Sequence, residues 1–254
     1  MSAVKAAPVD PQALAARLEA AGARAGFRLE AFGESGGFPL IALTKRTPGP
    51  RPRIYLSSGI HGDEPAPPLA LLSLIESGEF DARAVWFICP MLNPGGLARG
   101  TRENASGTDL NRDYRHLASP EIQAHVRWLS RQPNFDLAVC VHEDWESTGF
   151  YLYELNPDGR PSLAEPMIEA AAKFCPIDPS PLIEGREARG GIIRPTLDPL
   201  EREKWPESIY LQVHHTRLSY TIETPSFLPL ETRIAALRAA LGAALTRTCS
   251  GSGA

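Results

Sequence analysis

The stretch SSGIHGDEPAPP, residues 57–68, sets His61 three residues before Glu64 directly after an apolar run. An imidazole and a carboxylate at that spacing are two potential ligands for a transition metal. Alone the pair is a weak signal, because a His and a Glu meet at this spacing by chance in many chains. Its weight depends on which other reactive side chains stand at comparable places. After the apolar run 84–92 comes a polar loop with Arg99, Arg102, Asp109, Asn111 and Arg112. After 136–141 come His142, Glu143 and Asp144, and after 217–222 comes Glu223. Carboxylates and imidazoles can hold a metal or move a proton, and guanidinium groups can steady an anion.

Those residues need a scaffold that brings them together, and the pattern between them supplies one. PQALAARLEAAGARA (11–25) has helical spacing, with Leu14 and Leu18 on one face. FPLIALTK (38–45) and RIYLSSG (53–59) read as strands, and APPLALLSLIESG (66–78) as a helix ended near Gly78. AVWFICPML (84–92) is the continuous apolar run of a strand buried on both faces. A helix opens at Ser119 as N-cap, with Pro120 in its first turn and Glu121 behind it. Strands follow at 136–141 and 150–155, a helix over 162–174, a strand at 217–223 and a last helix from about 230 to 246. This alternation predicts an α/β fold: one domain over 1–254, with a mixed, mostly parallel sheet covered by helices on both faces. In such sheets ligands bind beyond the carboxyl ends of the strands, where the reactive residues fall. Residues 1–10 and 248–254 read as frayed ends, and 176–206, rich in Pro, Gly and Arg, as a surface excursion.

Composition narrows the function classes. The 254 residues are 43% hydrophobic, enough for a sizeable core, and the net charge of −4 argues against a nucleic-acid binder. No window approaches the roughly 18 apolar residues of a membrane span, and MSAVKAAPVD lacks the apolar centre of a signal peptide. The expectation is a soluble, cytoplasmic protein. Cys89, Cys140, Cys175 and Cys249 form no C-x-x-C pair; Cys89 and Cys140 read as small buried hydrophobes. Against a serine or cysteine hydrolase, the one G-x-S-x-G match, GESGG (33–37), leads into the strand-like run FPLIALTK and not into a helix, and no Cys stands at a strand end beside a polar partner.

In order along the chain stand HGDE (61–64), NPGG (93–96), RENASGTDLNR (102–112), the lone His142 after a strand, and TIETP (221–225). That ordered set resembles the zinc carboxypeptidases of the pancreatic type, a superfamily that also contains succinylglutamate desuccinylase and aspartoacylase. The likeness covers roughly 54–225; the family's usual N-P-D-G stands here as NPGG. The resemblance implies a carboxypeptidase-like (phosphorylase/hydrolase-like) fold and one zinc ion per chain, held by His61, Glu64 and His142. It implies Glu223 as the general base and Arg102 as the cation for the oxyanion, preferred over Arg99 on motif position. Asn111 and Arg112 would clamp a substrate carboxylate, and Asp109 would orient a ligand imidazole. Glu143 is expected to point away from the metal, and His116 and His125 to be structural. For a second proton donor Tyr210, Tyr151 and Tyr153 stay open. His214 and His215, read as neighbours on a strand, could place at most one ring toward the site.

The implied activity is hydrolysis of an amide bond next to a free carboxylate. The substrate would be a small peptide, cell-wall-derived peptides included, or in the alternative an N-acyl amino acid. A binding module that has lost the chemistry would be expected to lose at least one of His61, Glu64, His142, Arg102 and Glu223, and all are present. The oligomeric state is left open.

Overall fold

Side-chain alternation along the strands explains both the burial of the sheet and where its reactive residues face. At 53–58, Ile54 and Leu56 join one hydrophobic cluster while Tyr55 joins another. The same division runs through 137–142, where Leu137, Val139 and Val141 face the first cluster and Ala138 and Cys140 the second. A strand apolar on both faces must be covered on both.

The protein is described from a computed structural model over residues 9–196 and 199–250. Helix α1 (Pro11–Arg24) is followed by strands β1 (Arg28–Ser35), β2 (Phe38–Lys45) and β3 (Arg53–Ser58). Then come α2 (Ala66–Glu76), β4 (Val85–Cys89), α3 (Pro94–Arg99), α4 (Pro120–Leu129), β5 (Leu137–Asp144) and β6 (Tyr151–Leu155). Helix α5 (Ala164–Ala171) leads to the short strands β7 (Leu182–Ile183), β8 (Arg186–Arg189) and β9 (Ile192–Ile193). The chain closes with α6 (Glu207–His214), β10 (Ser219–Pro225) and α7 (Leu230–Ser250). Ten strands form one sheet in the order β1-β2-β4-β3-β5-β10-β6-β9-β8-β7. Helices α1, α2, α5 and α7 cover the Ile54 face, and α4 and α6 cover the Tyr55 face.

The sheet is mixed, but its parallel character is narrower than the sequence suggests. The run β4-β3-β5-β10 is parallel, as is β6–β9; the remaining pairs are antiparallel. A hairpin needs only a tight turn, and β1 and β2 are joined through Gly36 and Gly37, whose φ values of 60° and 85° suit glycine. From β3 the chain goes to β4 on one side, and β5 then returns to the other side of β3. The connections therefore diverge between β3 and β5 and leave a crevice at their carboxyl ends.

Several expectations are corrected. Strand β1 and helix α6 were not anticipated. His214 ends α6 and His215 is its C-cap, so neither belongs to a strand. Ser119 is the N-cap of α4, its carbonyl accepting the Gln123 N–H at 3.0 Å, but its hydroxyl donates to Asp113 Oδ2 at 2.6 Å and not to the helix. Residues 248–250 form the last turn of α7 and Asp10 caps α1, so these four residues belong to helices. The remainder of that expectation, 1–8 and 251–254, lies outside the described residues. The 176–206 stretch is more than a surface excursion: β7, β8 and β9 extend the sheet edge beside β6, and residues 197–198 lie outside the described set. No described helix is long and apolar enough to cross a membrane.

Candidate metal centre and its cavity

Strand lengths decide which way the reactive side chains face. β5 runs on to Asp144 and β10 to Pro225, so His142 and Glu223 sit within strands, not after them. They are register partners across the parallel pair and share the face covered by α4 and α6. Glu143, one residue on, must face the other way. It does: its carboxylate accepts from the Ala66 N–H at the start of α2 at 2.5 Å and pairs with Arg233 of α7, with both side chains buried. Removing one member of a buried ion pair strands the other charge, which costs about 3–5 kcal/mol. Arg233→Ala should therefore lower stability by about that amount in denaturant unfolding. A change below about 1 kcal/mol would show that the pair does not hold α7 to the sheet.

His61 and Glu64 lie in the turn that leaves β3, buried at 3% exposure each. Gly62 lets this turn lie against α3, because a Cβ there would stand 2.0 Å from the Gly96 carbonyl carbon. Asn93, the fully buried first residue of NPGG, ties the parts together. Its amide donates to the carbonyls of Ile60 (3.2 Å) and Arg102 (3.3 Å), and its Oδ1 caps α3 at Gly96 N–H (2.9 Å).

The Glu64 carboxylate stands between two imidazoles: Oε1 against His61 Nδ1, and Oε2 3.0 Å from His142 Nδ1. One donor atom from each of the three residues lies within 4.8 Å of the others, all buried. The second nitrogen of His61, Nε2, lies 3.3 Å from Asp109 Oδ1. A proton donated there leaves the Nδ1 lone pair for a metal, which is how a carboxylate partner sets a ligand tautomer. Two imidazoles and a carboxylate with an open fourth position make the donor set of catalytic zinc, so these residues fit that ion. Burial alone would lower the His61 pKa, but Glu64 and Asp109 outweigh it and raise it to about 9. Burial would raise the Glu64 pKa, yet the two imidazoles hold it well below the usual carboxylate range. If these residues hold zinc, His61→Ala or His142→Ala should abolish stoichiometric metal in elemental analysis, and Asp109→Ala should weaken affinity about 10–100-fold. Full occupancy in the double His variant would overturn the assignment.

A cavity of about 430 Å³ opens over this cluster, and Arg102, Asn111, Arg112 and Glu223 all line it. Arg102 is held by Asp109, its Nε donating to Oδ2 at 3.1 Å, with Nη1 3.9 Å from Glu64 Oε1. Asp109 Oδ1 also accepts the Asn111 N–H at 2.9 Å, so one carboxylate orients His61, Arg102 and the Asn111 backbone. Arg112 donates to the Asn111 carbonyl at 2.9 Å. Arg99 ends α3 beside Gly36, away from the cavity. Burial pushes the Glu223 carboxyl well above its usual range, with His142 opposing and Glu64 and Asp144 adding to the rise. That is the direction that makes a carboxylate a stronger proton acceptor.

Tyr151 and Tyr153 line the cavity, and Tyr210 does not: it packs against His214 and Tyr114, with ring centroids 4.5 and 5.6 Å away. The Tyr151 hydroxyl donates to Asp144 Oδ2 at 2.9 Å, and that of Tyr153 to Glu184. His125 is buried between the hydroxyls of Tyr55 and Tyr114, and His116 Nε2 lies 3.2 Å from the Glu203 carbonyl oxygen. The sequence reading missed part of the cavity wall. Glu184, Arg186, Arg202 and Lys204 come from the stretch without periodicity, and the exposed Trp145 stands at the rim. Arg202 is lowered from its usual pKa by burial, with the charges of Arg186 and Arg112 acting in the same direction. Of these, only Arg186 carried a sequence signal, as part of the basic run REARGGIIR (186–194), which reads more simply as a solvated loop; no residue pattern marks Glu184, Arg202 or Lys204.

Fold and site together define a carboxypeptidase-like α/β fold that carries a buried His–Glu–His donor set. The model of the succinylglutamate desuccinylase/aspartoacylase catalytic domain matches residues 50–162. Carboxypeptidase SOL1 of Arabidopsis thaliana is 32% identical over 142 residues; the match spans 45% of this chain and only 28% of that protein. A Shewanella amazonensis protein, named provisionally as a metallopeptidase, superposes with a TM-score of 0.80 at 26% identity, over 95% of this chain and 92% of its own. A metallo-carboxypeptidase from Pseudomonas aeruginosa, solved with (2-guanidinoethylmercapto)succinic acid, shares the fold at a TM-score of 0.71 and 20% identity, over 95% of this chain and 70% of its own. The resemblance carried by HGDE, NPGG, RENASGTDLNR and TIETP is borne out.

Proposed function

We propose that the protein is a zinc-dependent hydrolase that cleaves an amide bond next to a free carboxylate, acting as a metallocarboxypeptidase on small peptides. The observation that carries this reading is one cavity. It brings His61, Glu64 and His142 together with a carboxylate of raised pKa, Glu223, and with Arg102, Asn111 and Arg112. Bound at the three ligands, zinc would supply a Lewis acid that polarises the scissile carbonyl and acidifies water. Glu223 accepts the proton of the attacking water and passes it to the leaving amine. Arg102, held by Asp109, presents its guanidinium to the oxygen that gains charge. Asn111 and Arg112 hold the free carboxylate and so set which bond reaches Glu223.

The match to the succinylglutamate desuccinylase/aspartoacylase model favours a second reading, removal of an acyl group from an N-acyl amino acid by the same residues. The two are separated by incubating zinc-loaded protein with small peptides, cell-wall-derived peptides included, and N-acyl amino acids, each free and amidated, with products read by mass spectrometry. Release of carboxyl-terminal residues from free peptides supports the first reading, and cleavage of N-acyl amino acids alone supports the second. Equal cleavage of amidated and free forms, or none of either, would overturn both.

A further inference from the structure

Beneath the cavity floor, on the face covered by α4 and α6, lies a buried carboxylate that the chemistry above does not use. Glu207, the first residue of α6, is 1% exposed. Its Oε1 accepts from the Tyr55 hydroxyl at 2.7 Å and its Oε2 from the Ser57 hydroxyl at 2.9 Å, both on β3. Tyr55 also meets His125 Nε2 at 2.9 Å, and His125 Nδ1 meets the Tyr114 hydroxyl at 2.7 Å. Both hydroxyls donate to this carboxylate, which gives the chain one direction. Tyr55 donates to Glu207, His125 Nε2–H donates to Tyr55, and Tyr114 donates to His125 Nδ1. A neutral His125 satisfies it, and burial pushes that imidazole down to about 3.

The other end of Glu207 reaches the cavity. Its backbone N–H donates to Asn111 Oδ1 at 2.9 Å. An N–H can bond only the oxygen of that amide, so the Asn111 NH2 is left as the group free to donate. The Asn111 backbone is held separately by Asp109.

We infer that Glu207 is a positioning residue: pinned to β3 by Tyr55 and Ser57, it holds the start of α6 where its N–H orients the Asn111 amide toward a substrate carboxylate. This rests on the reading of Asn111 as part of the carboxylate clamp. Glu207→Gln can keep both side-chain bonds, with its oxygen toward Tyr55 and its NH2 toward Ser57, so it is the conservative rescue. Glu207→Leu removes both, and Ser57→Ala removes one and serves if Glu207→Leu does not fold.

The test has two readouts. In NMR of the zinc-loaded protein, the side-chain amide pair of Asn111, assigned by its loss in Asn111→Ala, should be slowly exchanging in the parent and in Glu207→Gln. It should become solvent-like in Glu207→Leu and shift part of the way in Ser57→Ala. In kinetics, Glu207→Leu should raise KM for a free-carboxylate substrate about tenfold with kcat little changed, the scale of one hydrogen bond to a charged group. It should add nothing in the Asn111→Ala background. An unchanged Asn111 amide in folded Glu207→Leu and Ser57→Ala, or full additivity with Asn111→Ala, would overturn the inference. A released amide with unchanged KM would instead leave the positioning role standing and sink the clamp assignment.

Discussion

Glu223→Gln should lower turnover by about two to four orders of magnitude while zinc content and substrate affinity stay near those of the parent. Glutamine keeps the shape and much of the hydrogen bonding of glutamate, but it cannot take up a proton at neutral pH. Glu223 stands in register with His142 on the same sheet face, on the wall of the cavity over the candidate metal ligands. Its raised pKa comes first from burial, which disfavours its charged form and makes it more eager for a proton. Glu143, the nearest rival by sequence, faces the opposite side and is occupied by Arg233 and the Ala66 N–H. Steady-state kinetics with parallel metal analysis distinguishes the outcomes. Turnover within about threefold of the parent would remove Glu223 from the chemistry. Loss of zinc along with activity would assign it to holding the site together.

The parts of the protein that the sequence made legible share a physical reason. Strands β3, β4 and β5 are buried on both faces, so each carries an unbroken apolar run, IYL in β3, VWFIC in β4 and LAVCV in β5, that stands out from its surroundings. Their ends then became readable as the places where His61 and His142 sit. Strand β1 escaped because most of its residues are exposed or half-buried, and RLEAFGES has no clean period. Helix α6 escaped because eight residues are little more than two turns, and the paired His214 and His215 at its end read as strand neighbours. With α6 so short, nothing in the sequence around Glu207 marks it as the buried first residue of a helix.

Asn93 shows the limit from the other side. NPGG was visible as a motif, yet its role is bonding to the carbonyls of Ile60 and Arg102, which are distant in sequence and joined only by folding. The wall formed by Glu184, Arg186, Arg202 and Lys204 is of the same kind. Arg186 opens β8 and Glu184 sits in the turn before it, in short strands whose pairing reaches β6 through β9, while Arg202 and Lys204 lie in the irregular segment before α6.

Arg102→Ala should lower kcat by about 100- to 1,000-fold, whereas Arg112→Ala should act mainly on KM. The proposed difference lies in when each charge meets its partner. Negative charge on the scissile oxygen exists only after water has attacked, so a guanidinium serving it strengthens the transition state alone. The Arg102 side chain is suited to this, since Asp109 fixes its Nε and leaves Nη1 near Glu64 of the His–Glu–His cluster. The substrate carboxylate, by contrast, is charged before, during and after the reaction. Arg112, more exposed on the cavity wall and bonded to the Asn111 carbonyl, would hold it equally in ground and transition states. A charge-assisted pair of this kind is worth about 1.5–3 kcal/mol, roughly 10- to 150-fold in KM. Asp109→Ala sharpens the comparison, because it loosens both Arg102 and His61 and should depress kcat together with metal affinity. Matching kinetic signatures for Arg102→Ala and Arg112→Ala would show that the two guanidiniums act as one binding surface, and the separate oxyanion role would fall.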